Sequence, residues 1–340
     1  VKPACRNAGL GFPDGRVTMN LSPAALPKQG SGFDLAIAVA VLAAAGIVPA
    51  SVAREVVHLG ELGLDGRLKA VRGVLPAVLS ASRCGIDAVV VPVANEVEAR
   101  VVPGVEVRGA VSLAGLVALY RGEPQLDEPL PLPPLPDRSQ AQGDQRGTLD
   151  LADVVGQPEA RAALEVAAAG GHHLFLLGPP GAGKTMLASR LPDLLPDLDP
   201  EVALEVTALH SLAGRLPEGR GLVVRPPFVD PHHTASASAV VGGGVGLPRP
   251  GAASMAHGGV LFLDEAPEFS ARVLDALRQP LEDGSLVIHR SAGSARYPAR
   301  FQLVLAANPC PCGRASSAGL TCTCTPMARR RYLSRLSGPL

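Results

Sequence analysis

The sequence has no tryptophan, no net charge, no secretory signal and no apolar run long enough to cross a bilayer. These absences narrow the choice of function. Lys and Arg number 31, as do Asp and Glu, so the chain as a whole has no electrostatic pull toward nucleic acid. Any such site must come from local charge. The longest apolar stretch, residues 36–50, is 15 residues long, broken by Gly46 and closed by Pro49. That fits a buried helix and not a membrane span. Charged residues make up 18 % of the 340, against 47 % apolar. A chain of this length buries sizeable cores and suggests two domains. The first residue is Val, which fits a fragment or a processed chain. With six cysteines and no export signal, the chain reads as cytoplasmic, where disulfides are rare.

Residues 1–121 alternate strand-like and helical runs. Residues 17–21 and 89–92 read as strands, and 36–45 and 74–83 as helices. "GELGLDG", 60–66, reads as a hairpin with an Asp-Gly turn. Residues 122–148 are rich in Pro, Gln and Asp without periodicity, as expected of an extended linker. A peptide ligand for a proline-binding domain is the alternative. From 149 to 340 the pattern becomes strand–loop–helix. The runs at 172–178, 260–265 and 301–308 are short apolar strands, expected in a parallel sheet covered on both faces. There is no internal repeat.

"GPPGAGKT" runs Gly178, Pro179, Pro180, Gly181, Ala182, Gly183, Lys184, Thr185. It fits G-x-x-x-x-G-K-[ST] and lies between a strand and a helix, the context that the motif requires. The glycines let backbone N–H groups curl around phosphate. Lys184 is expected on the β and γ phosphates of ATP, and the Thr185 hydroxyl on Mg²⁺. "LFLDE" places Asp264 at the carboxyl end of a buried strand, where ligands sit in open parallel sheets. Asp264 is expected in the Mg²⁺ shell and Glu265 as the base that polarises the attacking water. Asn308 ends the next strand and either orients that water or simply caps.

Together these segments resemble the AAA+ ATPases. The stretches at 228–244 and 278–313 resemble the magnesium-chelatase-like branch, and within it the ComM/YifB group, over nearly the whole chain. The resemblance implies an insert around 228–251 and a β-hairpin around 284–299, elements that face the central channel in ring-shaped relatives. It also implies a homo-oligomer, a hexameric ring, with DNA as the track. A neighbour-supplied arginine finger and a helical lid are expected beyond residue 340.

The front third resembles the Lon-type serine–lysine proteases, a ribosomal S5 domain 2-like α+β fold. "LPKQGSGFDLAIAV", 26–39, occupies the place of their nucleophile loop. The nucleophile position falls on Gly32, with Ser31 one residue early, and the base position falls on Leu75. A serine without a neighbouring base is a weak nucleophile. Lys28 and Lys69 lie outside the helix that should carry the base. The domain is therefore expected to be a non-proteolytic accessory.

Cys310, Cys312, Cys322 and Cys324 form C-x-C-x₉-C-x-C. Two close thiol pairs suit a closed, structural tetrahedral Zn²⁺ site, although C-x₂-C is the usual spacing. Free thiols or a labile disulfide are the alternatives. Adjacent His232 and His233 point in different directions and do not easily share one metal. They read as a polar loop or as a channel contact to phosphate. Arg290 and Arg296 flank the hairpin and suit DNA backbone contact, or else a solvated surface. Residues 151–340 carry 17 Lys and Arg against 16 Asp and Glu, so the second domain is not basic overall.

The sequence is thus identified as a member of the ComM/YifB group. It is an expected ATP- and Mg²⁺-dependent DNA motor acting in branch migration. A chelatase motor working on a protein or porphyrin partner is the first alternative, and an ATP-dependent protease the second.

Overall fold

The computed structural model describes residues 1–13, 15–22, 30–124, 149–216, 221–244, 248–290, 293–315 and 321–336. The expected linker from residue 125 onward, and Lys28 in the opening loop, lie outside the described residues. The chain forms two compact units. One comprises Val1–Pro136 with Thr207–Leu222, the other Asp137–Val206 with Val223–Leu340.

In the first unit, three parallel strands, Val56–His58, Ala88–Pro92 and Glu106–Ala110, pair in that order. The apolar run forms the helix Asp34–Ala44, which buries Leu35, Ala38, Val39 and Leu42 in the core with Leu62, Leu68 and Val90. The helix Val74–Arg83 matches its sequence expectation to the residue. Glu61–Leu62 and Leu68–Lys69 form the expected hairpin, with Gly66 at φ 83° in its turn. Residues 17–21 are not a strand. Val17, Met19 and Leu21 are all exposed, and among the described residues no strand pairs with them. Alternation alone makes no strand without an edge to join.

The second unit is built on four parallel strands in the order Leu174–Leu177, Gln302–Ala307, Val260–Leu263 and Phe228–Val229. Alternate residues of the two central strands feed opposite faces. Leu261, Leu263, Leu303 and Leu305 enter one core, while Val260, Phe262, Val304 and Ala306 enter the other. Both faces are therefore covered, as a parallel sheet requires. The strand Leu174–Leu177 departs from the expectation, because Phe175 and Leu177 are about half exposed. It is an edge strand of the described sheet, so fewer neighbours cover it. Ser285–Arg290 and Gly293–Pro298 form an antiparallel hairpin where one was expected. No helix among the described residues is long and apolar enough to cross a membrane.

The first unit also buries an ionisable pair. His58 Nε2 lies 2.7 Å from the Tyr120 hydroxyl. Burial holds the imidazole down at about 4 and pushes the phenol up to about 12. The neutral imidazole accepts the Tyr120 proton at Nε2 and uses its other nitrogen on the Val56 backbone. The native state resists a proton that the unfolded chain takes up near pH 6.5. Stability is therefore expected to fall as pH drops from 6.5 toward 4, by about 3 kcal/mol at the bottom of that window. Urea unfolding of wild type and His58→Gln across this range checks it. Parallel pH profiles for the two proteins would remove His58 as the cause.

Candidate nucleotide-binding site

Parallel register brings the motif residues together. The strand ending before Asn308 lies between the strand ending before Gly178 and the strand ending before Asp264. The Gly178 N–H donates to the Ala307 carbonyl at 3.2 Å, which ties the start of the phosphate loop to the central strand. Gly181 and Gly183 have φ of 78° and 76°, left-handed values that side chains resist. A Cβ at Gly181 would meet nothing within 4 Å, so this glycine is needed for its backbone conformation.

Lys184 donates to the carbonyls of Gly178 and Pro179 at 2.8 and 3.0 Å and to Asn308 Oδ1 at 3.1 Å. Burial lowers the pKa of its ammonium, against the opposing pull of the Asp264 and Glu265 carboxylates. The Thr185 hydroxyl donates to Asp264 Oδ2 at 2.7 Å. A hydroxyl and a carboxylate held this close are the hard oxygen donors that Mg²⁺ takes. The donor set therefore fits Mg·ATP. Asp264 also accepts the Glu265 N–H at 2.8 Å. Glu265 itself sits at φ 50°, unusual for a residue with a side chain, and its carboxylate is half exposed.

The two histidines part company. His233 Nδ1 lies 3.2 Å from Glu265 Oε2, inside the site. His232 stacks on His233 with ring centroids 4.2 Å apart and turns its own Nδ1 to Thr234. The insert that carries them is fused to the hairpin. The Tyr297 hydroxyl donates to the Pro248 carbonyl at 2.6 Å, and a Cβ on Gly242 would lie 2.5 Å from Ile288 Cδ1. Arg290 is exposed, with its guanidinium over Gly243, where a Cβ would meet Nη2 at 2.5 Å. Arg296, also exposed, donates from Nε to Ser285 at 3.2 Å. Arg335 Nη1 donates to the Pro267 carbonyl of its own chain at 3.0 Å.

The four cysteines converge. All four sulfurs lie within 4.8 Å of one another. The Cys310–Cys312, Cys310–Cys322 and Cys312–Cys322 separations are 3.4, 3.6 and 3.5 Å. The positions that align with the protease dyad hold Gly32 and a fully buried Leu75, neither of which supplies a nucleophile or a base, and the adjacent Ser31 hydroxyl donates to Glu61. Sequence reasoning missed Gln157, which donates to the Ala182 carbonyl at 2.9 Å from a backbone at φ 51°. It also missed the pairing of His233 with Glu265. The only local signal for Gln157 is the Pro158 that opens the next helix.

The chain is similar to known proteins over its whole length. The model of magnesium chelatase, subunit ChlI, matches residues 150–340, and that of subunit ChlI of Mg-chelatase matches 1–95. The uncharacterized protein Rv2897c of Mycobacterium tuberculosis is 54% identical over 340 residues, covering 100% of this chain and 66% of that one. Competence protein ComM of Haemophilus influenzae is 44% identical over 340 residues, covering 100% of this chain and 65% of that one. A cryo-EM assembly of magnesium-chelatase subunits BchI and BchD is 25% identical with a TM-score of 0.37, covering 54% of this chain and 58% of that one. The chain thus spans about two thirds of the length of the curated relatives that it matches. A match over the whole of this chain to such relatives, and a family model across the whole phosphate-loop unit, show that the chain belongs to the magnesium-chelatase-like AAA+ family, in its ComM/YifB group.

Proposed function

We propose that this chain belongs to an ATP-hydrolysing motor that assembles as a hexameric ring in the cytoplasm and moves on DNA. The observation that carries the ATPase reading is the meeting of Lys184, Thr185, Asp264 and Asn308 at the ends of three adjacent strands. Lys184 neutralises the β and γ phosphates, and Thr185 and Asp264 hold Mg²⁺, which when bound offsets charge on the phosphates. Glu265 accepts the proton of the attacking water, and Asn308 orients that water. The four cysteines hold a structural zinc.

DNA as the track rests on the ComM relationship and on exposed Arg290 and Arg296 at the hairpin, which suit phosphate contact without sequence reading. The His233–Glu265 contact supplies a route for coupling. The insert and hairpin form one packed block, and that block touches the base through His233. A displacement of the block by DNA therefore reaches Glu265 directly.

The decisive experiment is ATP-dependent migration of a labelled Holliday junction. Wild type is expected to move it. Glu265→Gln is expected to bind ATP normally but lose roughly 10²–10⁴-fold in turnover and to move nothing. Hydrolysis without DNA binding or movement would end the DNA reading and turn the search to a protein or porphyrin partner.

His233→Ala is expected to lower kcat by roughly 10²-fold and abolish DNA stimulation while leaving the KM for ATP unchanged. A joint collapse of kcat and KM would mean general damage instead. Arg290→Ala and Arg296→Ala are each expected to weaken DNA binding for all sequences alike. Each should flatten the salt dependence by about one unit of slope, and unchanged slopes would remove the hairpin from the DNA surface.

A further inference from the structure

The sulfur cluster and the phosphate loop share one stretch of backbone. Asn308, which accepts from Lys184, lies two residues before Cys310. Gly313, one residue after Cys312, is buried against the loop. A Cβ there would lie 2.7 Å from both Cδ and Cγ of Pro180. Its φ is 74°, and its N–H donates to the Cys310 carbonyl at 2.9 Å, closing a tight turn around two of the thiols. Residues 308–313 therefore touch the phosphate loop at two points, Lys184 and Pro180, and carry Cys310 and Cys312 between them.

The sulfur spacing identifies the ligand class. A disulfide needs about 2.05 Å between sulfurs, and the three separations of 3.4–3.6 Å are far longer. Four thiolates about 2.3 Å from one Zn²⁺ at tetrahedral angles lie about 3.8 Å apart, close to what is seen. The set is all sulfur, with no open position and no carboxylate or imidazole in the group. A soft, closed site of this kind suits Zn²⁺ and is structural, not catalytic.

We propose that these four thiolates bind one zinc ion and that the metal is a clamp on the nucleotide site. It fixes the turn at Gly313 against Pro180 and sets the position of Asn308, so ATP binding depends on zinc held beside the phosphate loop. The metal-binding half stands on the sulfur geometry alone. The clamp half rests on the nucleotide site proposed above.

The test uses the whole chain and reads metal and nucleotide separately. Zinc is measured by mass spectrometry on the purified protein. Co²⁺ exchanged into the site is read by its thiolate charge-transfer and tetrahedral d–d absorption. Binding of a fluorescent ATP analogue is then titrated before chelation, after it, and after Zn²⁺ is returned. The expected result is one zinc per chain and a four-thiolate Co²⁺ spectrum. Nucleotide affinity should weaken about tenfold on chelation and recover with Zn²⁺, an effect of the size that loss of an outer-shell support produces. Cys322→Ser should reproduce the loss. Cys84→Ser, an exposed cysteine outside the cluster, should not.

Sub-stoichiometric zinc, or a Co²⁺ spectrum without thiolate bands, overturns the site. Stoichiometric zinc with unchanged affinity after its removal overturns the clamp. Lys184→Ala should keep its zinc and lose ATP. A zinc-loaded wild type that binds no ATP would overturn the nucleotide reading and the clamp with it, while the metal site would stand.

Discussion

The pairing of Gln302–Ala307 between Leu174–Leu177 on one side and Val260–Leu263 on the other is the constraint on which the second unit depends. Parallel strands all end on the same edge, so residues far apart in the chain arrive together without any contact of their own to direct them. Lys184 and Asn308 are 124 positions apart and meet at 3.1 Å, and Thr185 and Asp264 are 79 apart and meet at 2.7 Å. What fixes the register is burial. Leu261, Leu263, Leu303 and Leu305 point into one core, and a slip of one residue would send them to the other face.

The same logic explains which parts of the site could be read in the sequence. The phosphate loop and "LFLDE" are local signals, in which spacing and flanking apolar strands settle the reading. His233 carried no such signal. Its strand, Phe228–Val229, is only two residues long and precedes the Asp264 strand by some thirty positions, yet it pairs beside it. That neighbour relation puts His233 on Glu265, and strand order is a property of the whole sheet. Gln157 escaped for a related reason, since it supports the loop from a segment 25 residues earlier. In the first unit the buried helix Asp34–Ala44 was legible because its run is apolar throughout. Residues 17–21 misled because alternation reports a possible strand and says nothing of a partner.

The insert and the hairpin are joined by backbone proximity. Gly242 and Gly243 pair with Arg249–Pro250, and Ile288 and Arg290 of the hairpin lie over those two glycines. A side chain at Gly242 would collide with Ile288 and with the Arg249 carbonyl, so that glycine reflects close packing. A block held this tightly has few intermediate arrangements, as packed surfaces in general do. Its contact with Glu265 through His233 is an exposed, single-point link. Such a link transmits position more than stability, since a single half-exposed polar contact contributes little free energy.

The stretch from 309 to 325 shows why a metal would be used beside such a site. It contains one large apolar residue, Leu320, and one charged residue, Arg314, among Pro, Gly, Ala, Ser, Thr and Cys. The hydrophobic effect scales with apolar area, so these residues have little to bury and little to repay the entropy of ordering their backbone. A hydrogen-bonded turn such as that of Gly313 on Cys310 contributes about 1 kcal/mol. A structural zinc contributes on the order of 10 kcal/mol through four side chains. With so few apolar groups available, thiolate–metal bonds are the strongest means this composition has of holding Asn308 and Gly313 in place against the phosphate loop.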